Sequence, residues 1–238
     1  MIPRRVSRHV KEQNWFAVFL DLVVVVVGIF IALQVSQWHN DSEQRAERIY
    51  LLEKLAEDIN NTLEEHKETI EAFDAVREDF TVLISMLSKK PTDDNAHERF
   101  FKAYNVIFNT YDTTFESPTF EYILNSGNLD YLGRIETQNQ FLKLNSANLE
   151  NNFQTEILNQ LLAPIIVNVM AKIVVPEQVN DIQIGSSLND VYEFPELLGH
   201  TVTIRNVAYI QRGQIDNIDT VLNNLLVAVN EELAMLQE

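Results

Sequence analysis

The side chains best suited to chemistry in this sequence are five scattered histidines and the acids near one of them. His66 lies in the run Glu64-Glu65-His66-Lys67-Glu68. A carboxylate-bridged metal pair in a helical bundle would place a Glu three residues before the His, because those positions share a helix face. Leu63 occupies that position. We therefore expect His66 to be a polar residue in or beside a seam between helices, and not a metal ligand.

Other motifs that carry chemistry are missing from the sequence. It has no phosphate-binding glycine loop, no dinucleotide fingerprint, no nucleophile elbow and no H-E-x-x-H motif. Cysteine is absent, which excludes disulfides, thiolate metal sites and cysteine nucleophiles. Asp93 and Asp94, with His97 and Glu98, are typical of a solvated turn before a helix. The sequence thus predicts a protein that is not an enzyme and uses no cofactor and no metal.

One acid stands inside a long apolar segment. The 24 residues from Trp15 to Trp38 would form about 36 Å of helix, enough to cross a hydrocarbon core of about 30 Å. Asp21 lies about 9 Å beyond Trp15. A charge at the centre of a bilayer costs about 2.5–3.5 kcal/mol, and less near an interface. Asp21 therefore indicates either a partner within the membrane or a carboxylate that reaches back to the cytoplasmic interface.

The acid shares a helix face with small residues. Successive members of this face are 4, 7, 4 and 4 residues apart in the sequence. The small-x-x-x-small pattern among them permits two helices to approach closely. Tryptophans at both ends of the segment are expected to be interfacial anchors. The predicted packing face is Ala17, Asp21, Gly28, Ala32 and Ser36, and the predicted anchors are Trp15 and Trp38.

Charge gives the predicted span a direction. Residues 1–14 contain Arg4, Arg5, Arg8 and Lys11, which the positive-inside bias keeps in the cytoplasm. No A-x-A cleavage site follows the span, so we expect a retained anchor and not a signal peptide. Residues 39–238 would then be exported, into the periplasm of a bacterium with two membranes. The formal net charge of −17 argues against nucleic-acid binding.

The exported part is expected to be all-α, an antiparallel helical bundle with long helices. Low glycine and proline contents and long apolar stripes support this expectation. The first helix should end near Lys89 and Pro91, residues 176–199 read as an irregular connection, and the last helix should begin near Asn206. The predicted core stripes are Leu52, Ile59, His66, Phe73, Phe80 and Leu87 in the first helix; Leu149, Phe153, Ile157, Leu161, Ile165, Val169 and Ile173 in the middle helix; and Ile215, Ile218, Leu222, Leu225, Val229, Leu233 and Leu236 in the last.

An aromatic-rich segment lies between the long helices. Ser117-Pro118 is typical of a helix start, and Gly127 of a helix end. The aromatic side chains around this short helix either pack across a kinked loop or form a partner surface. That surface would comprise Phe115, Phe120, Tyr122, Gly127 and Tyr131.

Two stretches resemble a known family. Gly28-Ile29-Phe30-Ile31-Ala32-Leu33-Gln34, closed by Trp38 and preceded by an acid, resembles the span of an uncharacterised bacterial family of single-pass inner-membrane proteins. Thr119-Phe120-Glu121-Tyr122 followed by Ser126-Gly127-Asn128-Leu129 is similar to the mid-domain motif of that family. The resemblance implies an envelope protein with a helical exported domain, and it implies no activity.

A narrower resemblance concerns the start of the span. Phe19-Leu20-Asp21-Leu22 resembles the span of ion-driven stator and energiser subunits, in which an early acid carries the proton. The leading hypothesis is a non-enzymatic envelope protein that binds the lipid bilayer and assembles with itself or with a multi-span protein. The alternative is a proton-coupled subunit that uses Asp21. A ligand-sensing bundle is a third interpretation, for which 14 residues before the span are too few to form a cytoplasmic output domain.

Overall fold

A computed structural model describes residues 15–109, 113–174, 177–179 and 182–237 of the chain. Helices dominate this part of the protein, so the all-α prediction is confirmed. Short 3-10 turns follow two of the helices, at Asn105–Phe108 and Leu129–Leu132, and a small antiparallel hairpin pairs Glu177 with Ile184. The elements are α1 Trp15–Lys89, α2 Ala96–Tyr104, α3 Pro118–Ser126, α4 Ile135–Lys172, β1 Glu177–Val179, β2 Ile182–Ile184, α5 Leu188–Tyr192 and α6 Leu197–Gln237.

Helix α1 runs without a break past Asp41, where the sequence also allowed a new helix to start. It ends at Lys89 as predicted. Lys90 adopts a φ of 50°, its N–H donates to the carbonyl of Met86, and Pro91 follows. The seven-residue stripe from Leu52 to Leu87 is buried throughout, which confirms this core prediction.

The chain divides into two compact units, residues 1–50 and Leu51–Glu238. The second unit is the helical bundle. Three hydrogen-bonded pairs show that α4 and α6 run antiparallel, because the residue number rises along α4 as it falls along α6. The pairs are Thr137 with the carbonyl of Ala228, Gln154 with Gln214, and Asn168 with His200. The predicted divisions after residues 14 and 38 stay predictions.

Two apolar clusters form the core of the bundle. Each takes side chains from α1, α4 and α6. The first is completed by α2 and α5, and the second by α3. The α2 cluster contains Phe73, Phe80, Leu83, Leu87, Phe100, Tyr104, Leu162, Val169, Ile204 and Val207. The α3 cluster contains Leu52, Leu55, Ile59, Phe120, Ile123, Phe141, Leu144, Leu222, Leu225 and Val229.

The predicted stripe of α4 is wrong over its first half. Leu149, Phe153, Ile157 and Leu161 are exposed, whereas Val169 and Ile173 are buried. Each residue turns the helix by about 100°, so residues four apart advance by about 40° and a row of seven winds to the opposite face. Between residues 149 and 161 only Asn151 is buried, and the buried apolar side chains of α4 on either side of that stretch are Phe141, Leu144, Leu162 and Val169.

Two further expectations differ from the structure. The connection predicted as irregular holds β1, β2 and α5, and α6 begins at Leu197, before Asn206. The four β-branched residues from Thr201 to Ile204 form part of α6. Thr201 donates its hydroxyl to the carbonyl of Leu197 at 2.8 Å, and Ile204 packs into the α2 cluster. Burial against the bundle outweighs the weak helix propensity of these β-branched residues.

Candidate functional site

The apolar part of α1 lies in the first unit, where the described side chains from Phe19 to Val35 are all exposed. Asp21, Gly28, Ala32 and Ser36 are all exposed, and a Cβ added at Gly28 would meet no atom within 4 Å. Among the described residues, this one helix is long and apolar enough to cross a membrane, and no residue of its most apolar window is buried. The backbone of Ala17 and Trp15 is helical, while their side chains and residues 1–14 lie outside the described part of the chain.

A polar layer lies in the middle of the bundle. Along α1, α4 and α6 it occupies the positions between the α2 cluster and the α3 cluster. His66 is buried here, and its Nδ1 lies 2.5 Å from Oδ1 of Asp219 on α6. The prediction that His66 lies in a seam between helices is confirmed. The layer comprises His66, Asn151, Gln211 and Gln214, with Asp219 at its edge beside Ile218 of the α3 cluster.

A directed chain of amides extends from this layer to the surface. The Glu150 carboxylate only accepts, so Gln154 donates to it through Nε2 at 3.0 Å and keeps Oε1 as an acceptor. Gln214 then donates its own Nε2 to that oxygen at 3.1 Å. The remaining oxygen of Gln214 is buried and has no hydrogen-bond partner among the described residues. These three side chains line a groove of about 220 Å³.

Asparagines of α4 hold the segment before α3, a role that the sequence did not reveal. Asn148 accepts from the backbone N–H of Phe115 at 3.1 Å and donates to its carbonyl at 2.9 Å. Asn151 donates to the carbonyl of Thr113. Backbone groups that would otherwise lie unpaired beside the core are thereby satisfied. The only sequence signal for this contact was the high asparagine content of α4.

The short helix α3 begins and ends as predicted. Ser117 caps it by accepting from the N–H of Phe120 at 3.0 Å and also donates to Asp58 of α1 at 2.5 Å. Gly127 ends it with a φ of 67°. A left-handed residue at this position satisfies the last carbonyls of a helix, and glycine adopts it without a Cβ clash.

Two residues of the predicted partner surface belong to the core, so that prediction is wrong for them. Phe115 is 1% exposed and Phe120 is 3% exposed. The Phe120 ring centroid lies 5.5 Å from that of Phe115 and 4.4 Å from that of Phe141. Gly127 and Tyr122 are exposed and Tyr131 is partly buried, with 6.4 Å between the two tyrosine ring centroids.

Alkaline pH is expected to destabilise the bundle through Tyr104, which is fully buried among Phe100, Phe101 and Phe108. Its hydroxyl has no hydrogen-bond partner among the described residues, and burial raises its pKa from 10.0 to about 12. Between pH 10 and pH 12 the Tyr104 hydroxyl loses its proton in the unfolded chain and keeps it in the folded protein. Stability should therefore fall by about 2–3 kcal/mol from pH 10 to 12 and be unaffected by this group below pH 10.

Thermal unfolding of the wild type and of Tyr104→Phe, followed by circular dichroism from pH 9 to 12, measures this effect. The phenylalanine variant has no proton to lose at this position and should show the smaller alkaline decline. Parallel declines in the two proteins would contradict the prediction.

Comparisons of the chain with protein-family models, with curated proteins and with solved structures found no match to it.

Proposed function

We propose that this protein is a non-enzymatic, single-pass protein of the bacterial inner membrane that assembles through its span and presents its bundle for interaction with proteins. The observation that carries this proposal is the apolar helix in the first unit, none of whose most apolar window is buried by protein. The polar layer and the groove belong to the bundle and are assigned no reaction.

Lipid is the environment that suits this helix. Residues 19–35 expose thirteen large apolar side chains, and soluble proteins rarely expose contiguous apolar surface on that scale. On the insertion scale each such side chain near the helix centre favours the hydrocarbon core of the bilayer by about 0.3–0.6 kcal/mol, so thirteen of them together favour insertion by about 4–8 kcal/mol. Within that core a helix satisfies its own backbone hydrogen bonds.

The small-residue face supports assembly within the bilayer. Gly28, Ala32 and Ser36 lie one turn apart and leave the backbone accessible to a second helix. Asp21 extends this face, where a partner would lower the cost of placing a carboxylate in lipid. The basic N-terminus supports an orientation with residues 1–14 in the cytoplasm and residues 39–238 in the periplasm.

Single-cysteine variants test both parts of the proposal, because the chain has no cysteine of its own. For assembly, Ala32→Cys is compared with Phe30→Cys, which lies about 200° away around the helix. Oxidation in native membranes should yield disulfide-linked dimers at least about tenfold more efficiently from Ala32→Cys, because close approach of two helices is confined to one face. Equal yields would contradict assembly through this face.

For topology, a membrane-impermeant maleimide is applied to intact spheroplasts. Ser88→Cys, at an exposed position of the bundle, should be labelled, whereas Ser7→Cys should be labelled only after permeabilisation. The reverse pattern would overturn the orientation. A cross-link from Ala32→Cys to a second, multi-span protein would favour the alternative, in which Asp21 of this chain takes up and releases a proton.

A further inference from the structure

The outer face of α4 carries a row of exposed apolar side chains. We name the residues Leu149, Phe153, Ile157 and Leu161 the outer ridge. They are 62%, 64%, 49% and 49% exposed, and Leu142 extends the row toward the start of the helix. The opposite face of α4 packs into both clusters of the core. The helix therefore has two apolar faces, and the fold of the bundle uses only one of them.

The size of the ridge suits a contact between proteins. Soluble proteins rarely expose contiguous apolar patches larger than a few hundred Å², and a row of five large side chains, each about half exposed, is on that scale. A stable dimer buries about 800 Å² on each partner, much of it in a polar rim. The ridge has the size of the apolar centre of such an interface, and the amides beside it would supply the rim.

The charge around the ridge identifies the kind of partner. Over residues 144–171 the only charged residues are Glu150 and Glu156, whereas 22% of the whole chain is charged. Two copies of a protein with a net charge of −17 repel each other, and a charge-poor face is where that repulsion is least. A helix that binds a membrane surface would instead carry several Lys or Arg residues on its polar face, and the only cation along residues 142–161 is Lys143.

The same face contains a hollow as well as projections. A shallow concavity lined by Asn139, Leu142, Lys143 and Ser146 lies at the start of the row. A two-fold contact between identical surfaces requires that each surface contain both the projecting groups and the hollows that receive them. The outer face of α4 offers projecting apolar groups together with this shallow depression.

We propose that the outer ridge of α4 is a second self-association surface, at which the bundles of two copies pack ridge against ridge. This contact is separate from the assembly of the span and does not depend on it. The groups around the apolar centre are uncharged amides. Because salt screens interactions between charges, the contact should persist at high salt.

Cross-linking of the full chain in native membranes tests the proposal. Single cysteines are placed at exposed positions along the face, Ser146→Cys, Asn152→Cys and Gln160→Cys, and on α6 as a reference, Thr220→Cys. A short bismaleimide should link two copies through at least one ridge position about tenfold more than through Thr220→Cys. Phe153→Asn, added to the same chains, should lower that yield about tenfold, because the change is present in both copies.

Val227→Asn is the matched control, because Val227 is a similarly exposed apolar residue of α6, and it should leave the yield unchanged. The proposal is overturned if no ridge position exceeds Thr220→Cys, if Phe153→Asn has no effect, or if the product contains another protein in place of a second copy. Disulfide formation through Ala32→Cys reports on the span alone. If the Ala32→Cys disulfide still forms in chains that carry Phe153→Asn, the contact between outer ridges can be lost while the proposed assembly of the span is kept.

Discussion

Replacing Val26 and Phe30 together with arginine is expected to release the protein from the membrane. Both side chains are exposed and lie on the side of the span away from Gly28 and Ala32, so the change leaves the proposed helix contact in place. Each arginine near the bilayer centre costs about 2.5–3.5 kcal/mol, and the pair about 5–7 kcal/mol. Extraction of membranes at alkaline pH, followed by immunoblotting of pellet and supernatant, measures the retained fraction.

The matched control places the same charges at Gln34 and Gln37, near the Trp38 end. Arginine side chains there can reach the interface, so the Gln34→Arg/Gln37→Arg variant should stay in the pellet. Retention of the Val26→Arg/Phe30→Arg variant would remove the basis for a single-pass protein. Loss of both variants would show that the span reaches further toward the bundle than Trp38.

Truncation of Phe120 to alanine is expected to destabilise the bundle by about 3–5 kcal/mol. The ring is 3% exposed and packs between Phe115 and Phe141. Its removal therefore leaves a cavity between α3 and α4. That loss is a large share of the 5–15 kcal/mol that stabilises an ordinary domain. Denaturant unfolding of the full chain in detergent, followed by circular dichroism, gives the free energy of unfolding.

Tyr122→Ala is the control for this experiment. Tyr122 lies two residues further along α3 and is 50% exposed, so its truncation should cost about 1 kcal/mol or less. Equal effects at Phe120 and Tyr122 would mean that α3 is not anchored to α4 as described. The predicted partner surface would then include Phe120 again.

The polar layer gives the bundle a defined register. A slip of one turn between α1 and α6 would separate His66 from Asp219, which now lie 2.5 Å apart. Buried polar groups without partners cost about 1–3 kcal/mol each, whereas the apolar side chains of the two clusters would tolerate new neighbours more readily. The clusters therefore supply most of the stability, and the layer distinguishes one arrangement of the long helices from its neighbours.

Local features of this chain were determined by its sequence. The apolar run from Phe19 to Val35, the end of α1 before Pro91, the cap at Ser117 and the stop at Gly127 depend on backbone chemistry within a few residues. The seven-residue stripe of α1 was also readable, because a period of seven stays near one face of a helix over many turns. His66 could be placed in a seam because it falls within that stripe.

Only the tertiary structure decided which apolar surfaces are covered. Both faces of α4 are apolar, and nothing local distinguishes Phe141 and Leu144, which are buried, from Leu149 and Phe153, which are exposed. Phe115 and Phe120 are likewise buried through contacts with α4, namely the hydrogen bonds of Asn148 to the backbone of Phe115 and the packing of Phe120 on Phe141. Contacts between distant segments set the facing of each helix. The outer ridge can therefore be recognised as an exposed surface only from the tertiary structure, in which the other face of α4 is buried in the bundle.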